Sequence, residues 1–263
     1  MTLGISMQNG NFAFGELGVF EDVSFQVSKG EVLCILGANG CGKTTLLRSL
    51  NRNLKLKSGT VKIGETDISQ MDITTIAQRV GFVFQEHSAP FPFSVLEVVR
   101  MGRAPHLGFF ESPSKKDTAI AEQALETVGM LAYRDKPYTQ ISGGERQLAL
   151  IARTLAQEPD IILMDEPTSH LDFKNQALIL RIINRLAKSG IGVIMTSHFP
   201  DHALLYSDKV ALMAQGKFVA LGNPDDTITE PNLKRVYGID VKVLRVDETD
   251  YGKPVKICLP SSI

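Results

Sequence analysis

The run Gly37-Ala38-Asn39-Gly40-Cys41-Gly42-Lys43-Thr44 combines residue types that can grip a chain of phosphates. It fits G-x-x-x-x-G-K-[ST] at every specified position. Glycines present no Cβ, so the backbone can wrap closely round an anion with its N–H groups turned inward. Lys43 supplies a charge for the β- and γ-phosphates, and Thr44 offers a hydroxyl to Mg²⁺. Such a loop needs a strand before it and a helix after it. Val32-Leu33-Cys34-Ile35-Leu36 is a short apolar run of buried-strand type. Thr45 to Leu50 reads as a helix, whose N-terminus adds positive potential.

A second group of residues lies well downstream. The apolar run Ile161 to Met164 ends in Asp165-Glu166. A carboxylate at the end of a buried strand can sit beside the phosphate loop and hold Mg²⁺ through water, which makes Asp165 the metal candidate. Adjacent strand residues point to opposite faces, so Glu166 must do something else. It suits a base that polarises an attacking water. In Ile141-Ser142-Gly143-Gly144-Glu145, Ser142 and Glu145 have capping-box spacing, so a helix starts there. A glycine-opened helix start can also grip a phosphate. The absence of an [NT]-K-x-D segment favours ATP over GTP. His198 and His202 have metal-ligand spacing, but Pro200 lies between them and the Glu of H-E-x-x-H is missing, so zinc is not expected. Cys41, inside the loop, has two open readings: a thiol activated by nearby N–H groups, or a small filler.

These groups need a scaffold. The chain has 263 residues, 43% apolar and 22% charged, with a formal charge of −1. That is ordinary globular composition, with no net basic surplus to suggest a nucleic-acid partner. No apolar run reaches the roughly 18 residues of a membrane-spanning helix. Signal-peptide features are not expected at the N-terminus, and three cysteines without paired spacing fit a reducing cytosol. The start reads as β-rich, with strands over 19–27 and 59–64 and a short helix over 73–78. A strand over 80–84 ends at Gln85, and a loop follows. Helices are expected from Ser94 to Met101 and from Ser114 to Met130, with a loop over 102–113. Strands at 161–164 and 191–196 alternate with helices over 148–157 and 175–188, the pattern of a largely parallel sheet. Residues 209–221 and 241–259 each read as a hairpin. The second could extend a dimer contact or cover a sheet edge.

Taken in order, these motifs resemble the nucleotide-binding subunit of an ATP-binding cassette (ABC) transporter over essentially all of residues 1–240. The family signature Leu-Ser-Gly-Gly-Gln stands here as Ile141-Ser142-Gly143-Gly144-Glu145. Gln85 matches the Q-loop glutamine, implied as a metal and water contact. Ser169-His170-Leu171-Asp172 is similar to the D-loop, and His198 to the switch histidine that senses the γ-phosphate. Phe14 matches the A-loop aromatic that stacks on adenine, with phenylalanine where tyrosine is usual. Arg103 to Phe110, His170 and the C-terminal tail resemble importers of the iron-siderophore, haem and cobalamin class.

The resemblance implies a P-loop NTPase (RecA-like) α/β core with a mostly parallel sheet, an N-terminal antiparallel β subdomain and an inserted α-helical subdomain. It implies one ABC ATPase domain over 1–263: a core of 1–85 and 142–225, an insert of 86–141 and an extension of 226–263. It also implies a head-to-tail homodimer in which each ATP lies between one subunit's Lys43 and the other's Ser142-Gly143-Gly144. Polytopic permease subunits would dock on the insert, a solute-binding protein would take part indirectly, and the chain would lie peripherally on the cytoplasmic face of the membrane. Aromatics around 89–93 and 105–110 could form that docking patch or close the insert's own small core.

Overall fold

The computed structural model describes residues 3–84, 92–108, 110–247 and 254–261. It begins with two long antiparallel strands, β1 (Leu3–Phe14) and β2 (Leu17–Ser28), followed by β3 (Val32–Gly37) and α1 (Lys43–Leu50). Next come β4 (Ser58–Ile63), β5 (Thr66–Asp67), α2 (Ile73–Arg79) and β6 (Val80–Val83). The segment before the next core element holds α3 (Val95–Arg100) and α4 (Lys115–Thr127), with 3₁₀ turns between and after them. The chain then alternates through α5 (Gly143–Leu155), β7 (Ile161–Met164), α6 (Phe173–Lys188), β8 (Gly192–Ser197) and α7 (Pro200–Tyr206). It closes with β9 (Lys209–Ala214), β10 (Lys217–Gly222), α8 (Pro224–Thr227), α9 (Glu230–Tyr237), β11 (Val241–Val246) and β12 (Val255–Pro260).

Three sheets result among the described residues. The central one has strand order β10-β9-β3-β8-β7-β6, parallel throughout except for edge strand β10. Strand alternation sorts its side chains into two cores. Leu33 and Ile35 of β3 face α1 and the antiparallel sheet β2-β1-β4-β5. Cys34 and Leu36 face the opposite layer, which α5, α6, α7 and α9 cover. Both faces are therefore apolar, which explains why β3, β7 and β8 are buried along their whole length. Because the five parallel strands run the same way, their C-terminal ends share one edge, and residues from three of them can converge there.

One expectation needed correction, and one strand was not foreseen. Strand β1 was not singled out, because its glycines and polar residues mask the alternation. Helix α5 starts at the capping box of Ser142, as its spacing implies, and runs without a break into the helical stretch expected from Leu148. The stretch 102–113 is not all loop, since Met101–His106 forms 3₁₀ turns. These turns seat the inserted helices on the core. The buried guanidinium of Arg103 donates to Ala156 O at 2.7 Å and pairs with Asp117 at 3.0 Å and Glu158 at 2.7 Å. His106 Nε2 meets Gln157 O at 2.8 Å, and Gln78 donates to Pro105 O at 2.8 Å.

At Gly102 the turns press directly on α5. A Cβ there would lie 2.0 Å from Arg153 O. Gly102→Ala should therefore lower stability by about 1–3 kcal/mol through overpacking. Urea denaturation of the two proteins measures that difference.

Candidate active site

Strand β3 delivers the glycine loop. A Cβ at Gly37 would meet Met213 O at 2.5 Å and Cys41 Sγ at 2.6 Å, so the loop must start on glycine. Gly42 has φ of 107° and is the N-cap of α1, with no side chain capping the helix. The first-turn N–H groups of α1 thus have no side-chain acceptor and are available to an anion. Lys43 is 5% exposed. Its ammonium donates to Gly37 O at 2.7 Å and Ala38 O at 3.1 Å, and lies 3.8 Å from Glu166 Oε1.

Strands β7 and β8 deliver the acids and the histidine. Asp165 is buried, its N–H donates to Val83 O at 3.0 Å, and its Oδ1 accepts from Thr196 Oγ1 at 2.9 Å. The same Thr196 hydroxyl accepts from Glu166 N at 2.8 Å. Glu166 sits in the left-handed region, φ 48°, and so does His170, φ 59°. Such backbone persists when its surroundings hold it. Here Thr196 takes the N–H of Glu166, while Ser169 N and Oγ both donate to its carbonyl at 3.0 Å. The turned backbone sends the Glu166 carboxylate toward Lys43 on one side and His198 Nε2, at 2.7 Å, on the other.

These groups line one cavity of about 620 Å³. Phe14, Asn39, Gly40, Gly42, Lys43, Thr44, Thr45, Glu166, Ser169, His170 and His198 all reach it, together with Val19 and Phe199. Phe14 stands at the end of β1, 56% exposed, with its edge against Phe12 at 4.9 Å between ring centres. An exposed aromatic ring and a buried ammonium line the same cavity, a pairing that suits the base and the phosphates of a nucleotide. Asp165 lies behind Glu166 and is not among the lining residues. Cys41 is buried, and that burial pushes its thiol up despite the nearby Lys43, so it serves as filler rather than as an activated thiol. Gln85 lies outside the described residues.

Ser142, Gly143, Gly144 and Glu145 do not reach this cavity. They form the N-terminus of α5, where Ser142 N donates to Glu145 Oε2 at 2.7 Å and Glu145 N to Ser142 Oγ at 3.3 Å. That backbone hydrogen bond holds the Glu145 carboxyl below its ordinary range. The helix start lies against α6: a Cβ at Gly144 would meet the Asn175 side chain at 2.7 Å. Asn175 in turn bonds to Asp172, the N-cap of α6, so the signature run and the end of Ser169-His170-Leu171-Asp172 share one patch. Ser142 and Gly143 are exposed.

Thr196 was not found by sequence reasoning. A threonine within an apolar strand carries no local signal; its importance comes from β7 and β8 lying side by side.

The ABC transporter family profile matches residues 20–169, and the chain belongs to that family. Its ATP-binding members are ATPases coupled to transport, and this chain binds and hydrolyses ATP as one of them. The hemin import ATP-binding protein HmuV of Rhodococcus jostii is 37% identical over 86% of this chain and 77% of its own length. The molybdate import ATP-binding protein MolC of Haemophilus influenzae is 35% identical over 90% of this chain and 89% of its own. A solved structure described as an inward-facing metal-chelate type ABC transporter superposes with a TM-score of 0.89 at 31% identity, covering 100% of this chain and 98% of that one.

Thr196→Val should leave the Glu166 N–H and Asp165 Oδ1 without their shared partner. The expected loss of stability is about 1–3 kcal/mol, and Thr196→Ser should recover most of it. Thermal and urea unfolding of the three proteins test this.

Proposed function

We propose that the chain is the motor subunit of an importer for a metal chelate of the iron-siderophore, haem or cobalamin kind. One observation carries the site assignment: a single cavity unites Phe14, Lys43, Thr44, Glu166 and His198, while the second phosphate-gripping run stays outside it. A cavity closed on one side by its own chain and lacking the Ser142-Gly143-Gly144 amides is half of a site. The other half comes from a second copy docked head to tail. ATP then joins the two subunits. Its differential affinity for the closed pair supplies the closing force, and loss of phosphate releases it.

In this reading Phe14 stacks on the base. The amides of Gly37 to Gly42 and the helix start at Lys43 to Thr45 cradle the phosphates. The donors available for Mg²⁺ are hard oxygens: the Thr44 hydroxyl, the Asp165 carboxylate through water, and the Gln85 side chain. That set fits an ion that keeps several waters and shares its shell with phosphate, and it is no all-protein cage. Mg²⁺ when bound neutralises charge on the phosphates. Glu166 orients and deprotonates the attacking water, His198 senses the γ-phosphate and Lys43 takes up developing charge. The D-loop Ser169 to Asp172 carries contact between the subunits. The domain plan follows: a core of 1–85 and 142–225, the helical insert of 86–141, and an extension of 226–263.

Permease subunits dock on the insert. Support comes from a groove of about 270 Å³ there, lined by Phe93, Met101, Ala104 and Leu107 among others, with Phe110 standing out into solvent. His106 and Arg103 are not part of it, because they bond inward to the core. Among the described residues no helix is long and apolar enough to cross a membrane, which suits a peripheral subunit on the cytoplasmic face. A solute-binding protein delivers cargo to the permease. Cargo contacts lie in those partners. Support for a metal chelate comes from the hemin relative and the metal-chelate structure, whereas the molybdate relative favours an oxyanion as the second reading.

Glu166→Gln should keep ATP binding and trap the closed dimer, with turnover reduced at least about 100-fold. Gel filtration with ATP and Mg²⁺, together with phosphate release, checks both parts. Phe14→Ala should weaken ATP binding by about 1–3 kcal/mol, and Phe14→Tyr should retain it. Calorimetry on the folded proteins decides. Uptake of ferric siderophore, haem and molybdate by the reconstituted complex separates the two cargo readings.

A further inference from the structure

Helix α7 starts two residues after His198, where Pro200 pre-sets the first turn and the Phe199 N–H donates to Ser197 Oγ at 3.0 Å. Its N-cap is Phe199, which provides no capping side chain, and its first residue is Pro200. His198 Nδ1 is buried and has no hydrogen-bond partner among the described residues. Among the described residues its polar contact is Nε2 with Glu166, and its ring meets that of Phe199 edge-on at 5.9 Å between centres, so its position follows the backbone at the start of α7.

That backbone is also held from far along the chain. Asp201, in the first turn of α7, accepts a hydrogen bond from the Cys258 N–H on β12 at 2.9 Å. Cys258 faces Val243 in the β11–β12 register. The Val243 N–H is also directed out of the hairpin, to Glu230 Oε1 at 3.2 Å. In an antiparallel pair, two facing residues that both turn their N–H groups outward form a non-hydrogen-bonded rung. Here each outward N–H of one rung is taken by a carboxylate, Glu230 of α9 on one edge and Asp201 of α7 on the other. Val243 and Cys258 also pack on the helical-side core. Burial, with the Asp201 carboxylate beside it, pushes the Cys258 thiol up to about 12.

From this rung we infer that the C-terminal β11–β12 hairpin is a strap that sets the position of His198 by holding Asp201. Asp201 is a positioning residue: it touches neither the cavity nor Glu166, and it acts through the start of α7. The hairpin is thus neither a simple edge cover nor, at this rung, a dimer contact. Its outward hydrogen bonds are directed at its own chain. The inference rests on the proposed role of His198 as the group facing the γ-phosphate.

The test uses the full chain with ATP and Mg²⁺. Asp201→Ala should lower kcat about tenfold while KM for ATP stays within about twofold, because a misplaced group costs rate more than binding. Asp201→Asn keeps an acceptor for the Cys258 N–H and should restore at least half of the rate. In a His198→Ala background, Asp201→Ala should cost no further rate in single-turnover measurement. The thermal midpoint of each variant is read in parallel, so that a folding defect is seen as such. The inference is overturned if Asp201→Ala retains kcat within about twofold, if Asp201→Asn fails to recover it, or if the loss is equally large without His198. Should His198→Ala itself turn over ATP at the parent rate, the role of His198 fails first, a result distinguishable from failure of the strap.

Discussion

A lysine ammonium buried to 5% exposure is the constraint around which the site is built. A charge removed from water is costly unless it is paired and hydrogen-bonded. Lys43 meets that demand with two carbonyls of its own loop and with Glu166 from another strand. The loop must therefore curl back over the lysine, which requires glycine where backbone and neighbours leave no room for a side chain. Glu166 must reach across from β7, and its left-handed backbone is the means. The two requirements bring the glycine loop and the Glu166 carboxylate to one point.

The parallel sheet makes that meeting possible. Strands β3, β7 and β8 are apolar on both faces, so they are held by both cores and cannot slide without exposing a row of side chains. Their ends form a fixed edge. On it, the Thr196 hydroxyl joins the backbone of Glu166 to the carboxylate of Asp165, so that the two acids keep different orientations. One faces the cavity and the other lies behind it. A single hydroxyl thereby separates the carboxylate that faces the cavity from the one behind it.

Elsewhere, polar contacts fasten outlying segments to the core. Arg103 fastens the inserted helices to the end of α5, and the start of that same helix carries Ser142 and Gly143 into solvent. The far end of the chain is fastened to α7 in a similar way, through a backbone N–H and a carboxylate. Both fastenings join segments far apart in the sequence.

Local chemistry was legible in the sequence. The glycine loop, the acids at the end of β7 and the capping box at Ser142 each depend on residues within a few positions of one another, so spacing alone defines them. The apolar runs of β3, β7 and β8 were equally plain, because strands buried on both faces have no polar alternation to dilute them. Tertiary structure decided what spacing cannot encode. Thr196 acquires its role from a contact 31 residues away, and Asp201 from one 57 residues away. The open face of Phe14 becomes one wall of the cavity only when β1 is laid beside the central sheet. A hydrogen bond that closes a long loop leaves no periodic trace in sequence, since its two ends are brought together by the packing of everything between them.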